Sequence, residues 1–222
     1  MNRTSSATGL RDMYRALFDA FGPQYWWPAD SPTEVVIGAI LTQNTAWSNV
    51  ERAIAAMKVA GCIDLRRIAD LESDELAEVI RPAGTYRVKA RRLKAFADWL
   101  LREHNGDLTQ ALAGELAATR SRLLGISGIG PETADAVLLY AGGRPTFVVD
   151  AYTRRVLRRH HFIDERASYN DVKSLFERAI EPNVPIYNEF HALLVELAKR
   201  HCRTTACCSG CPLRRFPHDE SL

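Results

Sequence analysis

The sequence predicts an all-α fold, and two observations carry this prediction. Apolar residues recur at three- and four-residue steps through most of the 222 residues, which is the spacing of one face of an α-helix. Glycine and proline separate these segments, as they do between helices. The only strand-like run, 146–149, is too short to build a sheet.

Apolar periodicity and the breaks between periodic segments define each predicted helix. The chain is long enough for two lobes, and we expect one over 30–141 and a second from 1–29 with 142–222. A cleft between the lobes would let residues that are distant in sequence converge. The predicted helices are 32–41, 48–60 before Gly61, 73–81 before Pro82, 86–101 before Gly106, 108–113, 114–124, 131–140 before Gly142, 151–159, 170–180 before Pro182, and 186–201.

The net charge is small, so any charge that binds nucleic acid must be local. It is +2, from 29 basic and 27 acidic side chains. Basic clusters occur at 87–94 and 154–159, although either is equally typical of the solvated face of an amphipathic helix. No segment is long and apolar enough to span a membrane, and the N-terminus lacks a signal-peptide core. We therefore expect a cytosolic protein.

A glycine-punctuated turn joins two predicted helices at 124–134, with the sequence Leu-Gly-Ile-Ser-Gly-Ile-Gly-Pro-Glu-Thr-Ala. Gly128 and Gly130 accept backbone conformations closed to other residues and, without Cβ, let an external group approach the main chain. Pro131 suits the first position of the next helix, whose free N–H groups attract an anion. The turn is a candidate clamp for a nucleic-acid phosphate, although a plain αα turn has the same pattern.

Two acidic residues flank the helices around this turn. Asp150 ends the apolar run 146–149 and precedes the arginine-rich helix at 151–159. Its carboxylate is a candidate catalytic group, but an aspartate here also caps the helix that follows. Glu132 lies in the first turn after Pro131, where an acid complements the helix dipole and needs no further role.

The order of glycine hairpin, Val-Val-Asp, arginine-rich helix and C-terminal cysteines resembles the endonuclease III branch of the helix-hairpin-helix DNA glycosylases. Segments 41–45, Leu-Thr-Gln-Asn-Thr, and 83–90 resemble two further stretches of that family, so the resemblance extends over most of the chain. It implies an endonuclease III-like fold and a nucleoid-associated monomer that acts on damaged double-stranded DNA. It also implies that the damaged nucleotide flips into the interlobe cleft and that Asp150 serves cleavage of the glycosidic bond. The expected DNA contacts are Gln43, Asn44, Thr45, Gly128, Gly130, Thr133 and Arg154.

The amides of Gln43 and Asn44 have two possible roles. They could fill the gap that a flipped nucleotide leaves in the DNA stack. They could equally cap the helix that ends near Leu41.

One departure from the family decides the predicted chemistry. Bifunctional members carry a lysine two residues after the last hairpin glycine, and its amine attacks the sugar to form a Schiff base. This chain has Glu132 at that position. A carboxylate cannot form an imine, so the resemblance implies a monofunctional enzyme unless another lysine substitutes. Asp150 would then stabilise an oxocarbenium-like sugar and position or deprotonate the attacking water.

Several large side chains resemble the base pocket of the 3-methyladenine glycosylase III subgroup. Carried over by position, Trp26, Trp27, Pro28 and Trp47 enclose the base, with Glu132 beside them. An alkylated purine carries positive charge, and an indole face attracts a cation by about 0.5–2 kcal/mol. Tryptophans are also common core residues, and the Trp-Trp-Pro run could instead hold the N-terminal segment against the helical body.

Four cysteines, Cys202, Cys207, Cys208 and Cys211, lie within ten residues, which favours a metal site in a protein without a secretion signal. Endonuclease III relatives hold a [4Fe–4S] cluster here, and Cys202, Cys208 and Cys211 resemble the first three of its ligands. The fourth cysteine is missing, so Cys207 replaces it, or His218 does, or the loop is empty or holds zinc. In each case the role of the loop would be structural.

Three functions therefore remain open. The first is a monofunctional glycosylase for alkylated purines such as 3-methyladenine or 7-methylguanine. The second is a glycosylase for oxidised or mismatched pyrimidines, and the third is a catalytically silent DNA-binding protein. These motifs do not determine the size of the base pocket, and that size decides which damaged bases the enzyme accepts.

Overall fold

The computed structural model describes residues 3–221, with side chains over 7–221, and the regular secondary structure of this part of the chain is helical. It contains a 3-10 turn at Arg81–Ala83 and a π-helical turn at Val137–Ala141. The α-helices are α1 (Arg3–Phe21), α2 (Pro32–Leu41), α3 (Trp47–Val59), α4 (Leu65–Asp70), α5 (Ser73–Val79), α6 (Tyr86–His104), α7 (Leu108–Leu112), α8 (Leu116–Leu124), α9 (Pro131–Ala136), α10 (Ala151–Arg159), α11 (Tyr169–Ala179) and α12 (Val184–Arg200). The predicted all-α class is confirmed.

The chain divides into two compact units. The central unit spans Ala29–Arg144 and contains α2 to α9. The terminal unit combines the segment up to Pro28 with the segment from Pro145 onward, and it contains α1 and α10 to α12.

The core of the central unit surrounds α2. Every residue of this helix from Glu34 to Leu41 is buried, as expected for a helix that is apolar on all sides. It contacts α3, α6 and the π-helical turn. Ser31 caps its N-terminus by accepting a hydrogen bond from the Glu34 N–H, and Pro32 occupies the first turn.

The core of the terminal unit is aromatic. The rings of Phe147 and Phe176 stack with their centroids 3.7 Å apart. Phe190 and Tyr187 meet Phe147 edge-on, and all four side chains are fully buried. The cluster packs the 146–149 segment against α11 and α12. It therefore fixes the position of Asp150, the residue at which the chain leaves this core.

The structure contains two helices that the sequence patterns did not predict, α1 and α4. In α1, Leu10, Met13 and Leu17 lie at three- and four-residue steps and are fully buried. Segment 146–149 is irregular and forms no strand among the described residues. Its Phe147 N–H donates to the Glu177 carboxylate at 3.0 Å instead. Within the described residues, no helix combines the length and the apolar character needed to cross a membrane.

Candidate active site

The predicted hairpin lies in the central unit, between α8 and α9. Ile126 and Ile129 are buried and anchor the turn from below, while Ser127, Gly128 and Gly130 are exposed. Beneath the turn, the Arg120 guanidinium binds both carboxylate oxygens of the fully buried Asp135, at 2.8 and 2.9 Å. This bidentate pair ties α8 to α9 and makes the hairpin a rigid platform.

Gly128 requires glycine for two reasons. Its φ of +85° lies in the left-handed region. A Cβ placed here would also come within 2.3 Å of Cγ of Arg92, which packs directly over it. The Gln43 amide donates to the Gly128 carbonyl at 3.1 Å and to the Thr133 hydroxyl at 2.8 Å, and its oxygen accepts a hydrogen bond from Arg92. Gln43 and Arg92 therefore lock the hairpin in place.

Gly130 differs from Gly128. Its φ is −90°, a value open to any residue, and the space where a Cβ would lie is open. The N–H groups of Gly128 and Gly130 donate no hydrogen bond within the described part of the chain. Pro131 begins α9, and no side chain caps that helix. The exposed edge of the hairpin therefore offers main-chain donors to an external acceptor.

Lys89 holds the segment that carries Gln43. Its side chain is fully buried, and its ammonium donates to the carbonyls of Leu41 and Ala83, at 2.7 Å each, and to the Thr45 hydroxyl. Burial, with a smaller contribution from the charge of Arg92, lowers the pKa of Lys89 to about 8. Thr45 in turn donates to the Ala83 carbonyl. Lys89 thus joins 41–45 to the 81–83 turn.

The other predicted residues of the central unit lie around these segments. Asn44 is exposed with φ +52°, and it is the Thr42 hydroxyl that bonds back to the last turn of α2. Trp47 begins α3 and donates from its indole N–H to Glu51 at 2.9 Å. Glu132 is exposed in the first turn of α9.

Asp150 lies in the terminal unit, at the N-cap of α10. One carboxylate oxygen accepts the Thr153 N–H at 2.7 Å, so the helix-capping alternative is realised. The other oxygen lies 3.6 Å from Nε2 of His191, which is buried on α12. Burial alone would raise the pKa of Asp150, but His191 and the Thr153 donors outweigh it and hold this pKa below its ordinary value. The carboxylate is therefore ionised at neutral pH while only 14% exposed.

The Trp-Trp-Pro run also lies in the terminal unit. A cis peptide bond joins Trp26 and Trp27, and their rings are tilted with centroids 5.1 Å apart. Both are half-buried and Pro28 is exposed. The preceding turn is held by the Gln24 N–H, which donates to the Glu189 carboxylate at 2.7 Å. The run is therefore partly available to a ligand rather than absorbed into the core.

Arg154 belongs to a basic surface on α10. Its guanidinium donates to the Ala167 carbonyl at 2.7 Å. A surface cavity of about 410 Å³ begins beside Ala151, the residue after Asp150. The charged side chains that line it are Arg154, Arg155, Arg158, Arg159, Asp164 and Glu165.

The C-terminal cysteine loop packs against the far end of α10. Cys202, Cys208, Cys211 and His218 line one small cavity. Cys207 is exposed and is not among the residues that line it. The structure thus brings together three of the four predicted cysteine ligands, and the imidazoles of His160, His201 and His218 line the same cavity.

Three residues in these sites were not singled out by their sequence patterns. His191 lies 41 positions from Asp150 and appears in the sequence only as one position of the α12 periodicity. Lys89 and Arg92 were members of a basic cluster, for which a solvated face or a DNA contact was expected. The spacing of a basic cluster does not show whether a lysine is buried against three hydrogen-bond acceptors or lies on the surface.

Known proteins are similar to this chain over most of its length. A provisionally named DNA repair glycosylase of Methanocaldococcus jannaschii is 44% identical over 92% of this chain and 93% of its own length. The structure of H. pylori 3-methyladenine DNA glycosylase bound to 1,N6-ethenoadenine has a TM-score of 0.74 and 29% identity, covering 90% of this chain and 98% of that one.

The fold itself is that of endonuclease III. An endonuclease III–DNA complex superposes with a TM-score of 0.82 at 21% identity, over 100% of this chain and 97% of that one. Residues 37–182 match the family described as the HhH-GPD superfamily of base excision DNA repair proteins. The chain belongs to this superfamily.

Proposed function

We propose that this protein is a monofunctional DNA glycosylase that hydrolyses the N-glycosidic bond of alkylated purines in double-stranded DNA. Membership of a base excision repair superfamily supports the reaction class. The 29% identity to a 3-methyladenine DNA glycosylase, over 98% of that chain, supports alkylated purines as substrates. We also propose that it acts as a monomer.

The observation that carries the proposed activity is the ionised, largely buried carboxylate of Asp150. As the base departs with the electron pair of the glycosidic bond, positive charge develops on the sugar. A fixed carboxylate in a partly desolvated position stabilises that charge. Water then adds to the sugar carbon, and its proton leaves through Asp150 or the departing base. Because the pKa of Asp150 is lowered, stabilisation of charge is its principal contribution and proton transfer its lesser one.

The contacts of four of the five lysines support hydrolysis without strand cleavage. Lys89 and Lys94 donate to main-chain carbonyls, and Lys58 and Lys173 pair with carboxylates. Lys199 lies in the last turn of α12. An amine bound to carbonyl oxygens or a carboxylate is a poor nucleophile toward a sugar aldehyde. With Glu132 at the lysine position of bifunctional enzymes, we propose that the product is a free base and an intact abasic strand.

We propose that the hairpin binds a DNA phosphate. The exposed main-chain N–H groups of Gly128 and Gly130 and the uncapped start of α9 support this assignment. Thr133 is buried against Gln43, so it would act by holding the hairpin rather than by touching DNA. We propose Gln43, Asn44 and Thr45 as the segment that faces the DNA around the lesion, and Arg154 as a further phosphate contact on the terminal unit.

We propose Trp26, Trp27, Pro28, Trp47 and Glu132 as the residues that receive the flipped base. Half-buried indole rings attract the positive charge of an alkylated purine. Such a base is already an activated leaving group, so the reaction needs no amine nucleophile. The exposed carboxylate of Glu132 adds negative charge that suits the same cation.

We propose that the C-terminal loop holds a [4Fe–4S] cluster, as the resemblance to endonuclease III implies. Three cysteines on one cavity fit a thiolate-rich centre, with Cys202, Cys208 and Cys211 as its ligands. Bound there, the group would supply structural cross-linking, since hydrolysis of a glycosidic bond requires no electron transfer.

The test measures base release and strand breakage on two substrates. Purified protein is incubated with methylated duplex DNA and, separately, with a duplex that carries an oxidised pyrimidine. We expect release of methylated purine, with strand breaks only after alkali treatment. If neither duplex releases a base, glycosylase activity is contradicted. Strand breaks without alkali would contradict a monofunctional mechanism.

Two variants make the test specific. Asp150→Asn retains helix capping, because asparagine caps as well as aspartate, but it removes the negative charge. We expect base release to collapse while the protein stays folded. Glu132→Lys installs an amine at the family's lysine position, so it should become trappable on abasic DNA by borohydride, whereas the parent protein should not.

A second candidate is a glycosylase for pyrimidines. It is favoured by a thymine/uracil-DNA glycosylase of Pyrobaculum aerophilum, which is 28% identical over 93% of this chain and 89% of its own length. Release from the oxidised duplex, or from a uracil-containing duplex added to the series, without release of methylated purine would select this candidate. Trp47→Ala should impair release of the methylated purine if that base stacks on the indole.

A further inference from the structure

The C-terminal loop contains an imidazole where the family's fourth cysteine is missing. We propose that Cys202, Cys208, Cys211 and His218 form a four-ligand metal site, with Cys207 outside the ligand set. The inference rests on the proposal that this loop holds a metal centre, and it is independent of which base the enzyme releases. Three thiolates and one imidazole suit either an iron–sulfur centre or a single zinc ion.

A shared cavity supports this set, and the donor atoms of two of its members, Cys208 and His218, lie close together. The four side chains line one cavity at the C-terminal end of α10. The donor atoms of Cys208, His218 and Glu220 all lie within 4.8 Å of one another. Cys202 is buried and Cys211 half-buried, whereas Cys207 is exposed and absent from the lining. The main-chain N–H of Cys207 donates to the His201 carbonyl at 2.8 Å.

The ring of His218 is oriented as a ligand requires. Its Nδ1 lies 2.7 Å from the Phe216 carbonyl oxygen, which is an acceptor only, so Nδ1 carries the proton. The lone pair is therefore on Nε2, the nitrogen nearer to Glu220. A ligating histidine typically donates its other N–H to a carbonyl in this way, because that bond fixes the tautomer and the ring plane.

The backbone on both sides of His218 is bound to the end of α10. Nδ1 of His160 lies 3.1 Å from the Pro217 carbonyl, and the Asp219 N–H donates to the Arg159 carbonyl at 2.8 Å. The chain after the third cysteine therefore folds back onto the helix and presents His218 to the cavity.

A buried cation complements the negative charge of the thiolates. Arg159 is 4% exposed, and its guanidinium lies 3.1 Å from Sγ of Cys202. The same group donates to the carbonyls of Arg203 and Thr204, at 2.6 and 2.8 Å. Arg159 thus donates to the sulfur of a proposed ligand and holds the loop that carries it.

The imidazoles of His160 and His201 line the same cavity, and Glu220 is a competing oxygen donor. Its carboxylate oxygen lies 3.5 Å from Nε2 of His218, but its side chain is 64% exposed. Thiolate-rich centres take sulfur and nitrogen before oxygen. We therefore expect Glu220 to lie beside the site without binding the metal.

The test compares metal content in matched variants of the full chain. Iron, acid-labile sulfide and zinc are measured by elemental and colorimetric analysis, with the visible absorption spectrum, before and after anaerobic reconstitution with iron and sulfide or with zinc. We expect Cys207→Ser and Glu220→Gln to hold as much metal as the parent protein. His218→Ala should lose at least about 10–100-fold in metal affinity, the loss typical of even a residue that only orients a ligand.

His218→Cys guards against simple misfolding, because it restores a fourth thiolate and should keep the metal. Iron with sulfide in the parent protein identifies a cluster, and zinc without sulfide identifies a single ion. Either result supports the ligand set if His218→Ala is the one variant of this series that loses the metal. Loss of metal from Cys207→Ser, full retention by His218→Ala, or no binding of either metal by the parent protein would overturn the inference. Base release without bound metal refutes this inference alone, and bound metal without base release refutes the proposed function alone.

Discussion

Replacing Lys89 by methionine tests the buried cation of the central unit. The ammonium of Lys89 satisfies the carbonyls of Leu41 and Ala83 and the hydroxyl of Thr45, and no part of the residue is exposed. Methionine has a similar length and fills the same channel, so the change removes the charge and the three hydrogen bonds with little change in volume. The segment that carries Gln43 would then lose its link to the 81–83 turn.

The expected destabilisation follows from two opposed terms. Each hydrogen bond from a charged donor contributes about 1.5–3 kcal/mol, or roughly 6 kcal/mol for the three that the substitution removes. Against this, the protonated amine is itself disfavoured by burial. A pKa lowered from 10.5 to about 8 corresponds to about 3 kcal/mol, which the substitution recovers. The net loss of unfolding free energy is therefore about 3 kcal/mol at neutral pH.

Urea unfolding at pH 7 measures this loss, with Lys94→Met as the matched control on the same helix. Lys94 also donates to carbonyls, but it is only half-buried, so water can replace its bonds and the cost should be about 1 kcal/mol. Because the pKa of Lys89 is lowered in the folded state, the unfolded chain binds more protons between about pH 8 and 10.5, and the Lys89 contribution to stability rises with pH there. Equal stability of the two variants, or a difference between parent and Lys89→Met that does not grow above pH 8, would refute the reasoning.

Three further predictions concern the hairpin and the carboxylate. Gly128→Ala should destabilise the protein by about 1–3 kcal/mol because it combines a positive φ with a clash against Arg92, whereas Gly130→Ala should be nearly neutral in thermal unfolding and weaken only DNA binding, measured by fluorescence anisotropy. Asp150→Ala should cost about 1 kcal/mol more than Asp150→Asn in urea unfolding, because alanine does not cap. The stability that Asp150 contributes is present above the pKa of an unfolded aspartate and is lost as pH falls through its lowered folded pKa. Titration of Asp150 should therefore produce no loss of base release between pH 5 and 8, and a loss in that range that Asp150→Asn abolishes would contradict the lowered pKa.

Local sequence signals were sufficient to predict the helices whose starts are marked by a capping residue or a proline. The predicted helices 32–41 and 151–159 coincide with α2 and α10, because Ser31–Pro32 and Asp150 mark the starts of these helices in the sequence itself. The hairpin was predictable for the same reason, since glycine at 128 is imposed by its backbone angle. By contrast, α8 begins at Leu116 rather than at residue 114, because the Glu115 carboxylate caps it by accepting from the N–H groups of Ala117 and Ala118. Glutamate is not a usual capping residue, so composition gave no sign of this start.

Features that depend on tertiary contact were not predictable from pattern. Among its described side chains, helix α1 buries only the apolar residues Leu10, Met13 and Leu17, so its stability depends on packing against α11 and α12. Helix α4 has six residues, too few to show a period. The burial of Lys89 depends on carbonyls 6 and 48 positions away, and proximity of that kind leaves no trace in a single sequence.

The two roles weighed for Asp150 are compatible because they use different atoms. One carboxylate oxygen is committed to the Thr153 N–H, which fixes the rotation of the side chain and joins it to α10. The second oxygen is then held 3.6 Å from His191, a buried group on α12. Capping is thus what makes the carboxylate rigid, and a rigid carboxylate meets developing charge without the cost of reorganisation. A helix-capping pattern in the sequence is for this reason no argument against catalysis at the same residue, and only a variant that keeps the cap and removes the charge can separate the two roles.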